Sequence, residues 1–308
     1  MTGNLILNVN GIDLTGRGRW LKTAQLRDEY FVDLPDAAAL IAEIKHQRLP
    51  SSPDVFTFVQ ALHDREARHP YLLSWDAMAV LPLTTYAQWF DQQLTFKPRN
   101  RLRKAWKSGV LTRVVAFSDD FIRAVMVIYN ETPLRQGKRN WHYGKDFDTV
   151  KREHATFLER SEFIGAYVHG ELIGFAKLTY SAQCCIVMNM VAMVSHRDKA
   201  PTNALLAKAV EQVTARQISL LNFGVWGRRG LNEFKVANAF ECAVVPRYHV
   251  PLTPTGALAL KFNLHRGLKE RLPEHWTVKL ADARARWNEW RFRQSAAIQL
   301  PATKQGEA

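Results

Sequence analysis

The stretch "QCCIVMNMVAMVS" (residues 183–195) is a near-continuous apolar run, which is typical of a strand buried on both faces of a sheet. Residues 196–217 follow as a predicted helix, because apolar side chains recur at helical spacing from Leu205 to Val213. The next run, "ISLLNFGVW" (218–226), predicts another strand. Two strands joined through a helix need a crossover, which implies parallel pairing.

The segments on either side extend this unit. Residues 118–132 predict a helix with an acidic first turn, and Asp148 is predicted to cap a second helix through Arg160. Residues 162–180 predict a hairpin that turns at His169-Gly170. After residue 226 come a short helix and a last strand, which gives the element order α-α-β-β-β-α-β-α-β. The fold class is therefore predicted as α/β, with parallel and antiparallel strands in a mixed sheet.

The first third of the chain is less regular. Residues 36–48 predict a helix capped by Asp36, Asp54 is predicted to cap a second helix through residue 69, and 71–83 predict a strand. Residues 1–35 are expected to pack at an edge. These patterns divide the chain into an N-terminal α/β region (1–115), a second α/β domain (116–255) and a basic amphipathic extension (256–308).

The composition of the chain indicates which classes of partner it is suited to bind. The chain has 308 residues, 47% of them hydrophobic, and a formal net charge of +13, which favours anionic partners such as nucleic acid, lipid headgroups or a polyphosphate cofactor. Its three cysteines lack C-x-x-C spacing, so neither a disulfide framework nor a metal site is expected. Without a signal peptide or a membrane-spanning stretch, the predicted localisation is cytoplasmic, with peripheral membrane contact left open.

Two short patterns carry a resemblance. "LNEFKVANAFE" (231–241) resembles the "FK…GF" pattern of the FemABX branch of the GNAT acyltransferases, and "NRLRKAWKSGV" (100–110) resembles the basic "R-K-A-x-K-x-G-V" segment of the same branch. The element order is also similar to that of GNAT proteins. The resemblance implies a GNAT-like acyltransferase fold, with a reduced N-terminal copy followed by a complete one.

The resemblance also indicates which loop would bind the acyl donor. GNAT proteins follow the central strand with a glycine-rich loop that holds the pyrophosphate of acyl-CoA, whereas this chain has "SHRDKAPTNA" (195–204), which lacks glycine. A helix start and nearby cations still favour an anionic donor, either acetyl-CoA or a longer acyl-CoA. The altered loop is also consistent with aminoacyl-tRNA, the donor of Fem proteins. The predicted donor-binding residues are Met193, His196, Arg197, Lys199, Thr202 and Asn203.

Acyl transfer to an amine requires that the amine lose a proton, that the carbonyl oxygen be stabilised and that the leaving group be protonated. The predicted base is Glu131 or His142, and the predicted acid is Tyr248. Backbone N–H groups of residues 190–193 are expected to face the carbonyl. No cysteine has the setting of a nucleophile, so direct attack is predicted.

Aromatic and basic residues near the predicted loops are candidates for substrate binding. "WHYGK" (141–145) suggests an acceptor-binding gate, and the residues after the 218–226 strand follow the carboxyl end of that strand, where α/β sheets bind ligands. The predicted substrate-binding residues are Trp141, Tyr143, Trp226, Arg228, Arg229, Asn232 and Lys235.

The sequence thus predicts an N-acyltransferase that moves an acyl group from a CoA thioester to an amine on a sugar, lipid or cell-envelope precursor. A Fem-type peptidyltransferase that uses aminoacyl-tRNA remains an alternative. A non-catalytic GNAT-fold module that binds nucleic acid or membrane is a third, because the fold alone does not define the function.

Overall fold

The computed structural model describes residues 5–9, 11–27, 29, 34, 36–47, 52–62, 66–135, 138–227, 231–265 and 286–287. The chain divides into two compact units, residues 1–117 with 155–265 and residues 118–154 with 266–308. The domain boundaries expected at residues 115 and 255 stay a prediction.

Thirteen strands and eight α-helices are formed by the described residues. The strands are β1 Leu5–Val9, β2 Ile12–Arg17, β3 Thr23–Leu26, β4 Val55–Val59, β5 Leu72–Pro82, β6 Leu111–Val115, β7 Leu134–Arg135, β8 Lys138–Arg139, β9 Ser161–Val168, β10 Glu171–Tyr180, β11 Cys185–Ala192, β12 Leu220–Val225 and β13 Glu241–Pro251. The helices are α1 Ala37–His46, α2 Tyr86–Gln88, α3 Phe96–Lys107, α4 Asp119–Asn130, α5 Phe147–His154, α6 Pro201–Ala215, α7 Leu231–Ala237 and α8 Pro254–Lys261.

Eleven strands of the first unit form one mixed sheet in the spatial order β1-β2-β3-β4-β13-β5-β12-β11-β10-β9-β6. The last of the described strands, β13, lies between β4 and β5 and pairs antiparallel with both. β5 in turn lies between β13 and β12. The N-terminal strands β1–β5 and the later strands β6 and β9–β13 therefore share one continuous sheet.

The predicted α-α-β-β-β-α-β-α-β order is confirmed, and so is the mixed character of the sheet. The hairpin of β9 and β10 turns at His169 and Gly170, whose φ values are 50° and 85°. Two consecutive residues with positive φ fit the twist of a two-residue hairpin turn, and the His-Gly pair tolerates this conformation. The basic helix α3 ends as predicted, with Gly109 at φ 73° just after its last turn.

Two helix predictions were wrong in type or extent. Residues 55–59 form strand β4 rather than a helix, and all five of its side chains are buried. The β-branched and aromatic residues of "VFTFV" favour a two-sided buried strand. Helix α5 ends at His154 instead of residue 160, and Asp146 rather than Asp148 caps it by accepting from the Thr149 N–H at 2.8 Å.

The second unit contains α4, the short β7–β8 hairpin and α5 among its described residues. Ser118 caps α4 by accepting from the Phe121 N–H at 3.2 Å, and Asp119 and Asp120 lie in its first turn. Acidic residues at a helix start are stabilised by the helix dipole. The apolar face predicted from the periodicity of residues 118–132 is buried, as Ile122 and Val125 illustrate.

Candidate functional site

Strands β11 and β12 part shortly after they begin. Their parallel pairing joins Cys185 to Leu221 and Ile186 to Asn222, and over their described length no later residue of β11 is paired with β12. On its other side β12 shifts register against β5 between Asn222 and Val225. Among the described residues, β11 and β12 are therefore paired only where they begin, and the later part of β11 is where a backbone donor to an acyl carbonyl was predicted.

The backbone N–H of Met193, just after β11, already has a partner on the β10 side. It donates to the Ile173 carbonyl of β10 at 2.8 Å, and the Met193 side chain is buried. A hydrogen bond within the fold leaves this N–H unsuited to hold a substrate carbonyl. Its assignment to the donor site stays a prediction, carried by its position just after β11.

The start of α6 differs from an open phosphate cradle. A short 3₁₀ turn, Arg197–Lys199, precedes the helix, and Ala200 has a left-handed φ of 52° at the cap position. Pro201 has no N–H. Five backbone N–H groups of this segment donate to carbonyls of residues 194–200. They belong to Arg197, Lys199, Ala200, Asn203 and Ala204.

The side chains at this turn are only partly available to a ligand. The Lys199 ammonium lies 3.2 Å from His196 Nδ1, and Asn203 is buried. Arg197 is exposed, and Thr202 is half-buried. Helix α3 packs against α6 and against the 3₁₀ turn, so its cations and those of the turn belong to the same unit.

Lys235 is buried at the end of β12. Only 2% of the residue is exposed, its ammonium donates to the Val225 carbonyl at 2.8 Å, and it lies 5.3 Å from the centre of the Phe223 ring. Burial lowers the pKa of this ammonium. The position of Lys235 in the "FK" pattern was the signal by which the sequence found it.

Trp226 and Asn232, two residues near Lys235 that were predicted to bind substrate, make hydrogen bonds within the fold. Asn232 accepts from the Gly227 N–H at 3.0 Å and donates to the Gly227 carbonyl, so its amide closes the loop. The Trp226 N–H donates to the Ala77 carbonyl at 2.7 Å. Arg228 and Arg229 lie outside the described residues. Substrate contacts for all four stay predictions.

The two base candidates belong to the second unit. Glu131 forms an ion pair with Arg135 at 3.4 Å, whereas the His142 ring stacks on Tyr129 with ring centres 4.0 Å apart. Burial, followed by the charge of Lys145, lowers the pKa of His142. A neutral imidazole near pH 7 can accept a proton, so the environment of His142 suits a base better than the ion-paired Glu131 does.

Tyr248, the predicted acid, is 0% exposed. Its hydroxyl donates to Gln60 Oε1 at 2.8 Å and accepts the Arg68 N–H at 2.8 Å. Its ring lies 5.1 Å from that of Phe58. These contacts hold the phenol inside the core, and its role as an acid stays a prediction that this environment does not favour.

Two polar residues of the sheet were missed by sequence reasoning. Lys177 lies in β10 and is 1% exposed, and its ammonium donates to the carbonyl and to the hydroxyl of Thr156. Asn222 is 0% exposed, its Oδ1 accepts the Gly224 N–H at 2.8 Å, and its Nδ2 is buried without a hydrogen-bond partner among the described residues. Both residues stand in apolar runs, so no spacing pattern marks them.

A pocket of about 540 Å³ lies at the opposite end of β11 and β12, where the two strands begin. It does not coincide with the predicted donor site. Its lining residues are Leu62, Ala182, Gln183, Gln217, Ile218, Ser219 and Leu220.

Neither a metal cluster nor a membrane-spanning helix is found in the described part of the chain. No group of three or more His, Cys, Asp or Glu side chains there could hold a metal ion. None of the described helices has the length and apolar character needed to cross a bilayer.

Solved structures share the architecture at low sequence identity. No family model matches the chain, and no curated protein matches its sequence. FemX is similar with a TM-score of 0.59 and 10% identity, over 80% of this chain and 88% of FemX. The C-terminal domain of a protein described as a lysylphosphatidylglycerol synthetase, from Agrobacterium fabrum, has a TM-score of 0.57 and 14% identity over 84% of this chain and 87% of that domain.

L-PGS from Bacillus licheniformis is also similar, with a TM-score of 0.54 and 13% identity over 84% of this chain and 88% of that structure. At these identities the likeness concerns the fold. The chain therefore has a GNAT-like acyltransferase fold of the FemABX-like kind.

Proposed function

We propose that the protein transfers an aminoacyl group from aminoacyl-tRNA to an amine acceptor by direct attack. The observation that carries this proposal is the engaged backbone at the start of α6, where five N–H groups already donate to nearby carbonyls. A CoA pyrophosphate would need such groups to be open. An aminoacyl ester on tRNA places its phosphates along an extended backbone and does not require that cradle.

The basic surface of α3 supports a polyanionic donor. Its exposed cations include Lys97, Arg101 and Lys104, which recur at helical spacing, and the helix contains no acidic residue. α3 packs against the 3₁₀ turn that bears Arg197. Phosphates of a nucleic acid are held by such clusters of cations, and the binding weakens steeply with salt.

Lys235 is proposed to stabilise the oxyanion that forms on the ester carbonyl. An ammonium has three N–H donors. In the described part of the chain the Val225 carbonyl accepts one of them, and the other two are available to a ligand oxygen. A preorganised cation in a buried site stabilises developing negative charge more strongly than water does.

The bonds change as in any aminolysis of an ester. The neutral acceptor amine attacks the carbonyl carbon, a C–N bond forms, and the C–O bond to the tRNA ribose breaks. The proton lost by the amine ends on the ribose oxygen, so the products are an amide and a free hydroxyl. A base must first remove a proton from the acceptor ammonium, and the two base candidates from the sequence, Glu131 and His142, stay predictions.

The similar structures are compatible with this proposal. Fem proteins resemble this chain in sequence pattern and use aminoacyl-tRNA, and the name of the lysylphosphatidylglycerol synthetase describes the joining of lysine to a lipid. An acyl-CoA donor remains the second candidate, because the exposed Arg197 at the start of α6 still offers a cation to a pyrophosphate. Sugar, lipid and cell-envelope amines remain the acceptor candidates, and a cytoplasmic location is proposed with them.

Donor binding separates the candidates without knowledge of the acceptor. We expect filter binding to retain aminoacyl-tRNA, and we expect no rise in melting temperature with acetyl-CoA or longer acyl-CoAs. Replacing Lys97, Arg101 and Lys104 by Ala should weaken tRNA binding at least tenfold at low salt. The matched control replaces three exposed cations elsewhere in the same unit, Arg17, Lys22 and Lys45, and should change the affinity less.

Transfer itself is tested with radiolabelled aminoacyl-tRNA and a panel of envelope-precursor amines. We expect label in the acceptor, and we expect RNase treatment of the donor to abolish it. Transfer from an acyl-CoA that RNase leaves unchanged, together with a thermal shift that Arg197→Ala removes, would reject aminoacyl-tRNA as the donor.

A further inference from the structure

The connection between α4 and α5 contains a fixed loop, Lys138–Lys145, which we call the aromatic loop. The Asn140 side chain holds its beginning by donating to the carbonyls of Tyr129 at 2.9 Å and Thr132 at 3.0 Å. The His142 ring is stacked on the buried Tyr129 ring, with an angle of 14° between their planes. The Asn140 side chain and the His142 ring therefore attach the beginning of the loop to the end of α4 and to the residues just after it.

The end of the aromatic loop is attached as well. The Gly144 N–H donates to Asn130 Oδ1 at 2.8 Å, and Gly144 has a φ of 78° that suits a residue without a Cβ. The Lys145 ammonium forms an ion pair with Glu153 at 2.7 Å and lies 5.2 Å from the centre of the Trp141 ring. A loop held in this way loses little conformational entropy when it binds a surface.

This rigid loop exposes aromatic and basic side chains. Trp141 is 78% exposed and Tyr143 is 46% exposed, so the apolar area of both rings faces solvent. The adjacent Lys138 and Arg139 are exposed, and no ion pair joins either one to an acid among the described residues. Two aromatic side chains with polar tips thus stand beside two uncompensated cations.

We propose that the aromatic loop docks on an anionic bilayer surface. Trp and Tyr favour the bilayer interface, because their rings enter the apolar boundary while the indole N–H and the phenol stay hydrated. Lys and Arg are attracted by acidic headgroups. The proposal rests on the loop alone and does not depend on the reaction proposed above.

Two other occupants fit the contacts less well. Insertion of Trp141 between two nucleic-acid bases needs both ring faces open, and the Lys145 ammonium lies over one of them. The acceptor gate predicted from the sequence would require Trp141 and Tyr143 to enclose a small ligand, whereas both are exposed to solvent. An extended, negatively charged surface satisfies the aromatic and the basic residues together.

Vesicle flotation tests the proposal. We expect the full chain to float with phosphatidylcholine vesicles that contain phosphatidylglycerol and to stay in solution with phosphatidylcholine alone. Trp141→Ala should lower the partition coefficient about thirtyfold, since roughly 80 Å² of aromatic area is then lost from the interface. The double variant Lys138→Ala/Arg139→Ala should lower it about tenfold or more at low salt.

Trp20→Ala is the matched control, because Trp20 is 92% exposed and lies outside the aromatic loop. It should bind vesicles like the wild type, and equal melting temperatures of all variants would show that they fold. Unchanged flotation of Trp141→Ala would overturn the proposal. So would loss of single-stranded RNA binding in Trp141→Ala with vesicle binding intact, which would assign the loop to nucleic acid.

Discussion

Two lysines are buried in the same unit, one in the middle of the sheet and one where the sheet opens. Lys177 lies in β10, which pairs with β9 on one side and with β11 on the other, and donates to Thr156. Lys235 lies in α7 and donates to the carbonyl of Val225, the last residue of β12. Both ammonium groups lie near an aromatic ring, Phe163 in the first case and Phe223 in the second.

Burying a charged ammonium costs free energy, and the surroundings of the two lysines suggest that it has a different role at each position. Burial lowers the pKa of Lys177 to about 8 and also lowers that of Lys235. The Lys177 ammonium donates to the carbonyl and to the hydroxyl of Thr156. These two hydrogen bonds attach the segment around Thr156 to strand β10. At Lys235 the Val225 carbonyl accepts one of the three N–H donors of the ammonium, and we propose that a ligand oxygen accepts from the others. We infer a structural role for Lys177 and a catalytic role for Lys235.

The largest expected effect is on catalysis at Lys235. Lys235→Met should reduce transfer at least a hundredfold, because a preorganised donor to the oxyanion is lost. The KM for the donor should change less than kcat does. Steady-state kinetics with labelled aminoacyl-tRNA measures both. A variant with wild-type kcat would remove Lys235 from the mechanism.

The second effect is a pH-dependent stability at Lys177. The folded-state pKa of about 8 lies below the unfolded value of 10.5, so the unfolded chain binds more protons between these two pH values. Wild-type stability should therefore rise as the pH increases through that window, by about 3 kcal/mol relative to Lys177→Met. Urea unfolding of both proteins at pH 7, 8, 9 and 10 measures the difference. A constant difference would show that Lys177 is not desolvated in solution.

A third prediction concerns the end of β12. Gly224 has a φ of 70°, and a Cβ added there would meet no atom within 4 Å. Gly224→Ala should therefore cost about 1 kcal/mol of stability through backbone strain alone. If the strain is relieved by a shift of β12, transfer should also fall, because the Val225 carbonyl that holds Lys235 would move. Thermal unfolding and kcat together distinguish these outcomes.

The smallest effect on transfer is expected at Thr156. Thr156→Val removes one hydroxyl that accepts from Lys177 and leaves the backbone carbonyl in place. Loss of one hydrogen bond to a charged group should cost about 2 kcal/mol or less, and kcat should stay within a factor of two. A large loss of activity would give the Lys177 region a role that its closed surroundings do not suggest.

The sequence predicted the region around Lys235 better than the region around Lys177. The run 183–226 specified the βαβ unit, and the "FK" pattern marked Lys235. Lys177 stands in "ELIGFAKLTY", where it reads as one polar residue of an ordinary strand. Its buried ammonium is held by Thr156, which is distant in sequence. The periodicity of apolar residues does not predict hydrogen bonds between such distant positions.

The insertion of β13 between β4 and β5 was equally hidden from the sequence. Residues 55–59 were predicted to be helical because Asp54 resembles a helix cap. In the structure the Asp54 side chain accepts from the Lys22 N–H at 2.9 Å and from the Thr253 hydroxyl at 2.8 Å, which joins three separate segments. Such long-range pairing overrides a local capping signal.

The most direct test of the account is single-turnover transfer by the wild type, Lys235→Met and Lys177→Met under identical conditions with labelled aminoacyl-tRNA. Both variants replace a buried ammonium by an apolar side chain of similar length, so they control for each other. The account predicts a fall of at least a hundredfold for Lys235→Met and of less than about fivefold for Lys177→Met. Equal losses in two folded variants, or full activity in Lys235→Met, would contradict it.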